Sequence, residues 1–222
     1  MSWTGFVFVF TAFFATHSVP LRPNIKSGLA ALIGARGFSL AYSVLSLGML
    51  TLLIWSAGRA PHVELWPPMP WHRHAVHLGM LGTCLILALS VGRPNPLSFG
   101  GARNAVFDPA HPGIVRIFRH PVLAGLALWA GLHLLPNGDL AHVLLFSILA
   151  GFAIAGRALI DRRKRREMGD ARWIELKSVI SKAPFISKPR SWMSLALRIM
   201  AGIVAFAALL FLHPFVIGVP VV

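Results

Sequence analysis

Six long apolar stretches constrain this chain more than any other feature of its sequence. The stretches are continuous rather than alternating, and this pattern predicts helices, because membrane strands alternate apolar and polar residues. A helix needs about 20 apolar residues to cross the hydrocarbon core of a bilayer. We therefore predict an all-α, polytopic membrane helical bundle that forms a single domain over residues 1–222. The predicted spans cover about residues 3–19, 39–57, 75–91, 121–135, 140–159 and 193–211.

The composition excludes an ordinary soluble domain. Hydrophobic residues make up 56% of the chain and charged residues only 13%, whereas soluble domains average about 25% charged residues. No Lys or Arg precedes the first apolar stretch, Phe6 to Ala15. Because a cleaved signal peptide begins with a basic region, we predict that this stretch stays in place as the first span.

Positive charge is concentrated in alternate connections between the spans. The formal net charge is +14, from 21 Lys and Arg against 7 Asp and Glu. The first connection, a predicted loop over residues 21–38, is basic, as are the third and fifth connections, whereas the fourth has no Lys or Arg. Because basic connections stay in the cytoplasm, we predict that both termini lie outside. Anionic lipid is then the expected partner of these connections, and nucleic acid is not.

The sequence lacks the usual sources of catalytic chemistry. All seven acidic residues lie outside the predicted spans, which leaves no carboxylate pair or proton relay in the membrane. Phosphate-binding, dinucleotide-binding and nucleophile-elbow motifs are absent as well. Cys84 is the single cysteine, so the chain has neither an internal disulfide nor the C-x-x-C-H motif that attaches c-type haem.

Histidine is the residue type that remains for chemistry within or beside the spans. His17 lies near the end of the first span, His120 directly before the fourth and His133 well along the fourth. A histidine at such a position either packs in the bundle with one hydrogen bond or binds a metal or haem iron. Trp129 precedes His133 by four residues, so the two side chains share a helix face.

More than one pairing of these histidines is open. His120 and His133 are separated by ~20 Å along a helix. From the predicted topology alone, His17 pairs with His120 and His77 pairs with His133. A further cluster, His72, His74 and His77, is an alternative metal site, although anchoring at the membrane interface explains it more simply.

The fifth connection begins with a basic run, Arg162 to Arg166. We interpret this run as a positive stop that faces lipid headgroups. The following segment, residues 167–185, is expected to lie along the cytoplasmic surface and cover the bundle.

Five motifs occur along the chain in a fixed order: His17-Ser18, Gly34 to Phe38, His111 to Pro121, Gly138-Asp139 and Asp161 to Arg163. In this order and spacing they are similar to the motifs of the NnrU family of bacterial membrane proteins. The resemblance covers nearly the whole chain and implies a bacterial inner-membrane protein. The family is associated with denitrification, so nitric oxide reductase or its assembly machinery is the partner that the resemblance implies.

The resemblance extends to the 15-cis-ζ-carotene isomerases, which are b-haem proteins. Their haem-ligand histidines fall at the positions of His17 and His133. This implies haem b as cofactor, with these two histidines as ligands of the haem iron and His120 as a third candidate. Arg116 or Arg119 would then pair with the haem propionates.

A second extension is to the isoprenylcysteine carboxyl methyltransferases. In those enzymes an Arg-His-Pro region helps to bind S-adenosylmethionine, and Arg119, His120, Pro121 and Glu167 match that pattern here. The tail after Glu167 lacks the Tyr-rich pattern of the methyltransferases. The leading hypothesis is therefore a b-haem protein, with catalysis, sensing and electron transfer all open. A methyltransferase and a non-catalytic assembly factor for a membrane enzyme are the alternatives.

Overall fold

The computed structural model describes residues 1–186 and 188–219. The secondary-structure elements in this part of the chain are all helices. This confirms the predicted all-α class. Short 3₁₀ turns lie at Asn104–Val106 and Gly113–Arg116. The α-helices are α1 (Trp3–Ser18), α2 (Pro23–Ala57), α3 (Pro70–Ser90), α4 (Pro121–Leu134), α5 (Leu140–Met168), α6 (Asp170–Lys182) and α7 (Trp192–Val216).

Four of the described helices, α2, α3, α5 and α7, are long and apolar enough to cross a membrane. The helices at the first and fourth predicted spans are shorter, with 16 residues in α1 and 14 in α4. The protein is therefore a helical membrane protein, and the number of six spans stays a prediction.

The chain divides into two compact units. Unit 1 comprises Met1–Pro67 and Gly138–Leu145, and unit 2 comprises Pro68–Asn137 and the chain from Phe146 onward. The single domain predicted from the sequence stays a prediction.

In unit 1, α1 packs against α2. The buried side chains of α1 recur at the helical spacing of three to four residues, and α2 begins at Pro23, where the missing N–H of proline costs nothing. The predicted loop over residues 21–38 is therefore mostly wrong, because helix starts within it. Gly34 divides α2 with φ 76° and ψ 160°, a backbone conformation that only glycine adopts easily. The buried residues of α1 are Phe6, Val9, Phe10 and Phe13.

The turn before α5 is hydrogen-bonded to an earlier segment of unit 1, Val63 to Trp66. The Leu65 and Trp66 N–H groups both donate to the Gly138 carbonyl, at 2.8 and 3.2 Å, and the Leu140 N–H donates to the Val63 carbonyl at 2.8 Å. A Cβ at Gly138 would collide with the Trp66 carbonyl oxygen. This close approach explains why the turn requires glycine.

In unit 2, α3 packs against both α4 and α7. Small residues bring these helices together: a Cβ at Gly202 of α7 would lie 3.2 Å from the Cys84 carbonyl of α3. Helix α6 buries Trp173 and Ile180 against Leu97 and Val115. The segment predicted to cover the bundle thus forms a helix that packs on the connection between α3 and α4.

Candidate functional site

His120 lies at the N-terminal end of α4 and is only 3% exposed. Its Nε2 lies 2.8 Å from Asp161 Oδ1, and its Nδ1 lies 3.0 Å from Ser98 Oγ. A carboxylate only accepts hydrogen bonds, so Nε2–H donates to Asp161 and Nδ1 accepts from the Ser98 hydroxyl. Both ring nitrogens of His120 are therefore engaged.

Asp161 also receives two hydrogen bonds from the guanidinium of Arg119. Arg119 Nε lies 3.1 Å from Oδ1, and an Nη lies 2.5 Å from Oδ2. This bidentate geometry is the strongest that an Arg–carboxylate pair forms. Asp161 was not among the predicted site residues, because the fifth span was expected to end before it. Two features of the sequence could have indicated Asp161. Arg119 and His120 have no acidic residue close to them in the sequence, and Asp161 begins the Asp161 to Arg163 motif.

The loop at Asn95 to Ser98 provides further hydrogen bonds to Arg119 and His120. The Asn95 side-chain amide donates to the Arg119 carbonyl at 3.0 Å, and its oxygen accepts from the Leu97 N–H at 3.1 Å. Asn95 and Ser98 are each 3% exposed. Since buried polar groups are costly unless they are paired, this satisfied network fixes the orientation of His120.

Burial lowers the pKa of His120 below its ordinary value. The hydrogen bond to Asp161 and the charge of that carboxylate oppose this shift, and the charges of Arg119 and Arg157 reinforce it. The ring is therefore neutral at pH 7, which agrees with the single Nε2 proton inferred from its hydrogen bonds.

A cavity of about 320 Å³ opens beside this cluster. Its polar lining is mainly cationic, with Arg116, Arg119, Arg157 and Lys177. Ser98, His120 and Asp161 are the residue types of a hydrolytic triad, but Ser98 is buried and does not line the cavity. The arrangement therefore holds charge and orientation and does not present a nucleophile.

His133 lies near the other end of α4, in aromatic surroundings. Its ring centroid is 5.2 Å from that of Trp129 and 5.0 Å from that of Phe146. Its Nδ1 lies 2.8 Å from the Trp129 carbonyl oxygen. A carbonyl only accepts, so in the neutral ring Nδ1 carries the proton and Nε2 carries the lone pair. Metal-binding histidines are held in this way.

His17, in unit 1, has a similar arrangement. Its Nδ1 lies 3.0 Å from the Phe13 carbonyl, and its ring lies 4.1 Å from the Phe13 ring. The Tyr42 hydroxyl donates to the His17 carbonyl at 3.0 Å. The neutral ring again carries its lone pair on Nε2.

The remaining candidates are two arginines near His120 and the histidines of α3. Arg116 and Arg119 lie at the His120 end of α4, where Arg116 Nε donates to the Ala183 carbonyl at 2.9 Å. His77 donates through Nδ1 to the Arg73 carbonyl at 2.6 Å, so it shares the tautomer of His133. Within residues 1–186 and 188–219, no group of three or more His, Cys, Asp or Glu side chains is placed to hold a metal ion. The alternative metal cluster around His72 is therefore not formed.

The fold and these sites define a polytopic helical membrane protein whose polar chemistry is concentrated on histidine. The family model described as NnrU protein matches residues 5–221, nearly the whole chain. The chain belongs to the NnrU family. Neither the curated proteins nor the solved structures include a match to it.

Proposed function

We propose that this NnrU-family protein binds b-type haem in the bacterial inner membrane, with its basic connections in the cytoplasm. His133 and His17 serve as iron ligands. The protein acts in denitrification, with nitric oxide reductase or its assembly machinery as partner. This proposal combines the geometry of the histidines with the family resemblance described above.

The observation that carries the proposal is the environment of His133. The Trp129 carbonyl holds the Nδ1 proton at 2.8 Å, which leaves the Nε2 lone pair for a ligand. Trp129 and Phe146, with ring centroids 5.6 Å apart, supply flat apolar surfaces beside it. Haem requires a neutral imidazole ligand in apolar surroundings; the tautomer of His133 and the two aromatic rings beside it support this assignment.

His17 fits the second ligand position for the same chemical reason, since the Phe13 carbonyl fixes its Nδ1 proton. When bound, haem supplies an iron centre that exchanges one electron or binds a small ligand. The histidines contribute orientation and basicity through their bonds to backbone carbonyls. His77 has the same tautomer and is the alternative partner for His133.

His120 and its arginine neighbours have a different role in this proposal. Both ring nitrogens of His120 are hydrogen-bonded, so no lone pair is left for iron. Arg119 is paired with Asp161. The ~20 Å of helix between His120 and His133 exceeds the distance from an iron to a propionate of the same haem. We therefore assign this cluster to orientation and charge at the start of α4.

The test is the visible spectrum of protein that is expressed with a haem supply and purified in a neutral detergent. We expect a Soret band in the wild type, its loss or shift in His133→Ala and His17→Ala, and an unchanged band in His120→Ala. His74→Ala is the matched control, because His74 is exposed. A wild-type protein without a Soret band would overturn the proposal. An unchanged band in His133→Ala would exclude His133, and a band lost in His77→Ala would identify the alternative pair.

Methyl transfer from S-adenosylmethionine is the second candidate function. One observation favours it: Arg119 and His120, the residues that match the methyltransferase pattern, line a cavity of about 320 Å³. Calorimetric titration of haem-free protein with S-adenosylmethionine tests this function, and Arg119→Gln should abolish the binding. The lining is mainly cationic, which disfavours a ligand with a sulfonium and an ammonium group. A non-catalytic assembly factor would bind neither compound.

A further inference from the structure

A larger cavity, of about 960 Å³, lies in unit 2 between α3, the connection from α3 to α4, and the start of α7. We call it the amphipathic cavity, because its lining combines two chemistries. One wall is apolar and includes Leu85 and Leu89 of α3 and Leu195 of α7. The rim carries Arg93, Arg103, Arg190 and Arg198.

The positive charge at this rim is poorly compensated. Asp108 is the carboxylate in the lining of the described cavity, and it already lies 2.9 Å from His111 and 3.2 Å from Arg190. Arg93 and Arg103 form no ion pair within the described parts of the chain. Unpaired arginines beside an apolar wall favour a ligand with an anionic head and an apolar tail.

The two unpaired arginines are held by a tight loop. The Ala102 N–H donates to the Arg93 carbonyl at 3.2 Å, which brings the backbones of both arginines side by side. A Cβ at Gly101 would lie 2.7 Å from that carbonyl, so only glycine allows this approach. The site is thus organised before any ligand binds, which lowers the entropic cost of binding.

Arg103 has an unusual backbone conformation. Its φ is 55°, and it is the single non-glycine residue with positive φ in the described chain. Left-handed backbone is strained at a residue with a Cβ, and such strain is found disproportionately at functional sites. Arg103 thus combines a strained backbone with a guanidinium that lines the cavity.

We propose that the amphipathic cavity binds one anionic phospholipid from the bilayer. The phosphate is held by Arg93 and Arg103, and an acyl chain lies along Leu85 and Leu89. The volume lies at the upper end of the range for small-ligand sites, which suits a headgroup and part of a chain. Helix α3, which carries Leu85 and Leu89, is long and apolar enough to cross the membrane. This inference does not depend on haem.

The experiment uses the full chain, stripped of lipid in a neutral maltoside detergent. Dioleoylphosphatidylglycerol or dioleoylphosphatidylcholine is added, and the melting temperature and the lipid stoichiometry by native mass spectrometry are measured. We expect one phosphatidylglycerol bound and a rise in melting temperature of about 3 °C or more, as for a ligand that binds the native state. Phosphatidylcholine and inorganic phosphate should each have little effect.

Two variants locate the site. Arg93→Gln combined with Arg103→Asn should weaken phosphatidylglycerol binding at least about 10-fold, because two charge-assisted hydrogen-bonding groups are lost. Arg103→Asn alone should weaken it about threefold without loss of fold, since asparagine tolerates positive φ. The matched control removes the same charge outside the cavity, with Arg162→Gln and Arg166→Asn, and should change binding less than about twofold.

Three outcomes would overturn the proposal. Equal stabilisation by phosphatidylcholine would show general lipid coating. Equal stabilisation by inorganic phosphate would show a free-anion site without a lipid requirement. Equal weakening in the control variant would show attraction to total charge instead of binding in this cavity.

Discussion

The two ends of α4 use the same residue type in opposite ways. At the N-terminal end, His120 is enclosed by polar partners, and both of its ring nitrogens form hydrogen bonds, to Ser98 and Asp161. At the other end, His133 lies against two aromatic rings and uses one nitrogen for a backbone carbonyl. One helix thus separates a neutral histidine whose two ring nitrogens both have polar side-chain partners from a histidine whose Nδ1 is paired with a backbone carbonyl.

The difference follows from position along the helix. A residue at a helix start meets a connecting loop, whose polar groups must be satisfied, and the loop at Asn95 to Ser98 provides such groups. A residue within a helix has the carbonyl four positions earlier within reach, and His133 uses that of Trp129. The hydrogen-bond partners of a histidine therefore indicate its role better than the residue type alone.

The largest expected effect is that of Asp161→Ala. This change removes a partner from both Arg119 and His120, and we expect a loss of about 2 kcal/mol in the free energy of unfolding. Loss of a fully buried pair costs about 3–5 kcal/mol, and partial exposure of Arg119 and Asp161 reduces this. Thermal melting in detergent measures it. Asp170→Ala, which breaks an exposed pair with Arg165, is the control and should lower the melting temperature much less, because exposed ion pairs contribute little to stability. Equal losses would contradict a structural role for the cluster.

Replacing each histidine by alanine in turn tests whether the two ends of α4 have different roles. His120→Ala should lower the free energy of unfolding by about 1–2 kcal/mol, because buried Ser98 and partly buried Asp161 lose their partner. His133→Ala should instead alter the Soret band with a smaller change in melting temperature. Melting curves and spectra of both variants, recorded side by side, check this. Two variants that change the same property would break the distinction between the ends of α4.

The pH dependence of stability tests the N-terminal end of α4 through His120. Since burial lowers the pKa of His120, the unfolded state binds more protons than the folded state between that lowered pKa and about 6.5. Stability should therefore rise with pH across this window, by at most about 1.4 kcal/mol per pH unit, and level off above it. Melting temperatures at graded pH measure the slope. His120→Gln should remove the contribution and His74→Gln should keep it; a slope unchanged in His120→Gln would assign it elsewhere.

The smallest expected effect is that of Ser98→Ala. The variant removes one hydrogen bond to His120 Nδ1 and should cost about 1 kcal/mol. The Soret band should be unchanged. Chemical or thermal unfolding detects the loss, and Ser178→Ala on α6, which removes a hydroxyl that is only partly buried, is the control. A spectral change in Ser98→Ala would connect the polar cluster to the haem site.

Local patterns were enough to predict the helical class, the family and the shared face of Trp129 and His133. The Asp161 contact was not predictable, because it depends on how far α5 continues. The basic run after Ile160 was interpreted as a connection, yet helix continues to Met168. Arginine, lysine and glutamate favour helix, and Glu167 accepts from Arg163 at 2.7 Å and from Lys164 at 2.8 Å. Spacing of three and four residues stabilises a helix, and this continuation places Asp161 beside His120.

The turn at Gly138 has a consequence for biosynthesis. The segment Val63 to Trp66 leaves the ribosome well before Gly138, so its N–H groups and carbonyl have already been synthesised when the later turn is made. Gly138 and Leu140 therefore hydrogen-bond to a segment that was synthesised earlier, which fixes the start of α5. A bulkier residue in place of Gly138 would collide with the Trp66 carbonyl oxygen, and the later part of unit 1 would lose this attachment to the earlier part.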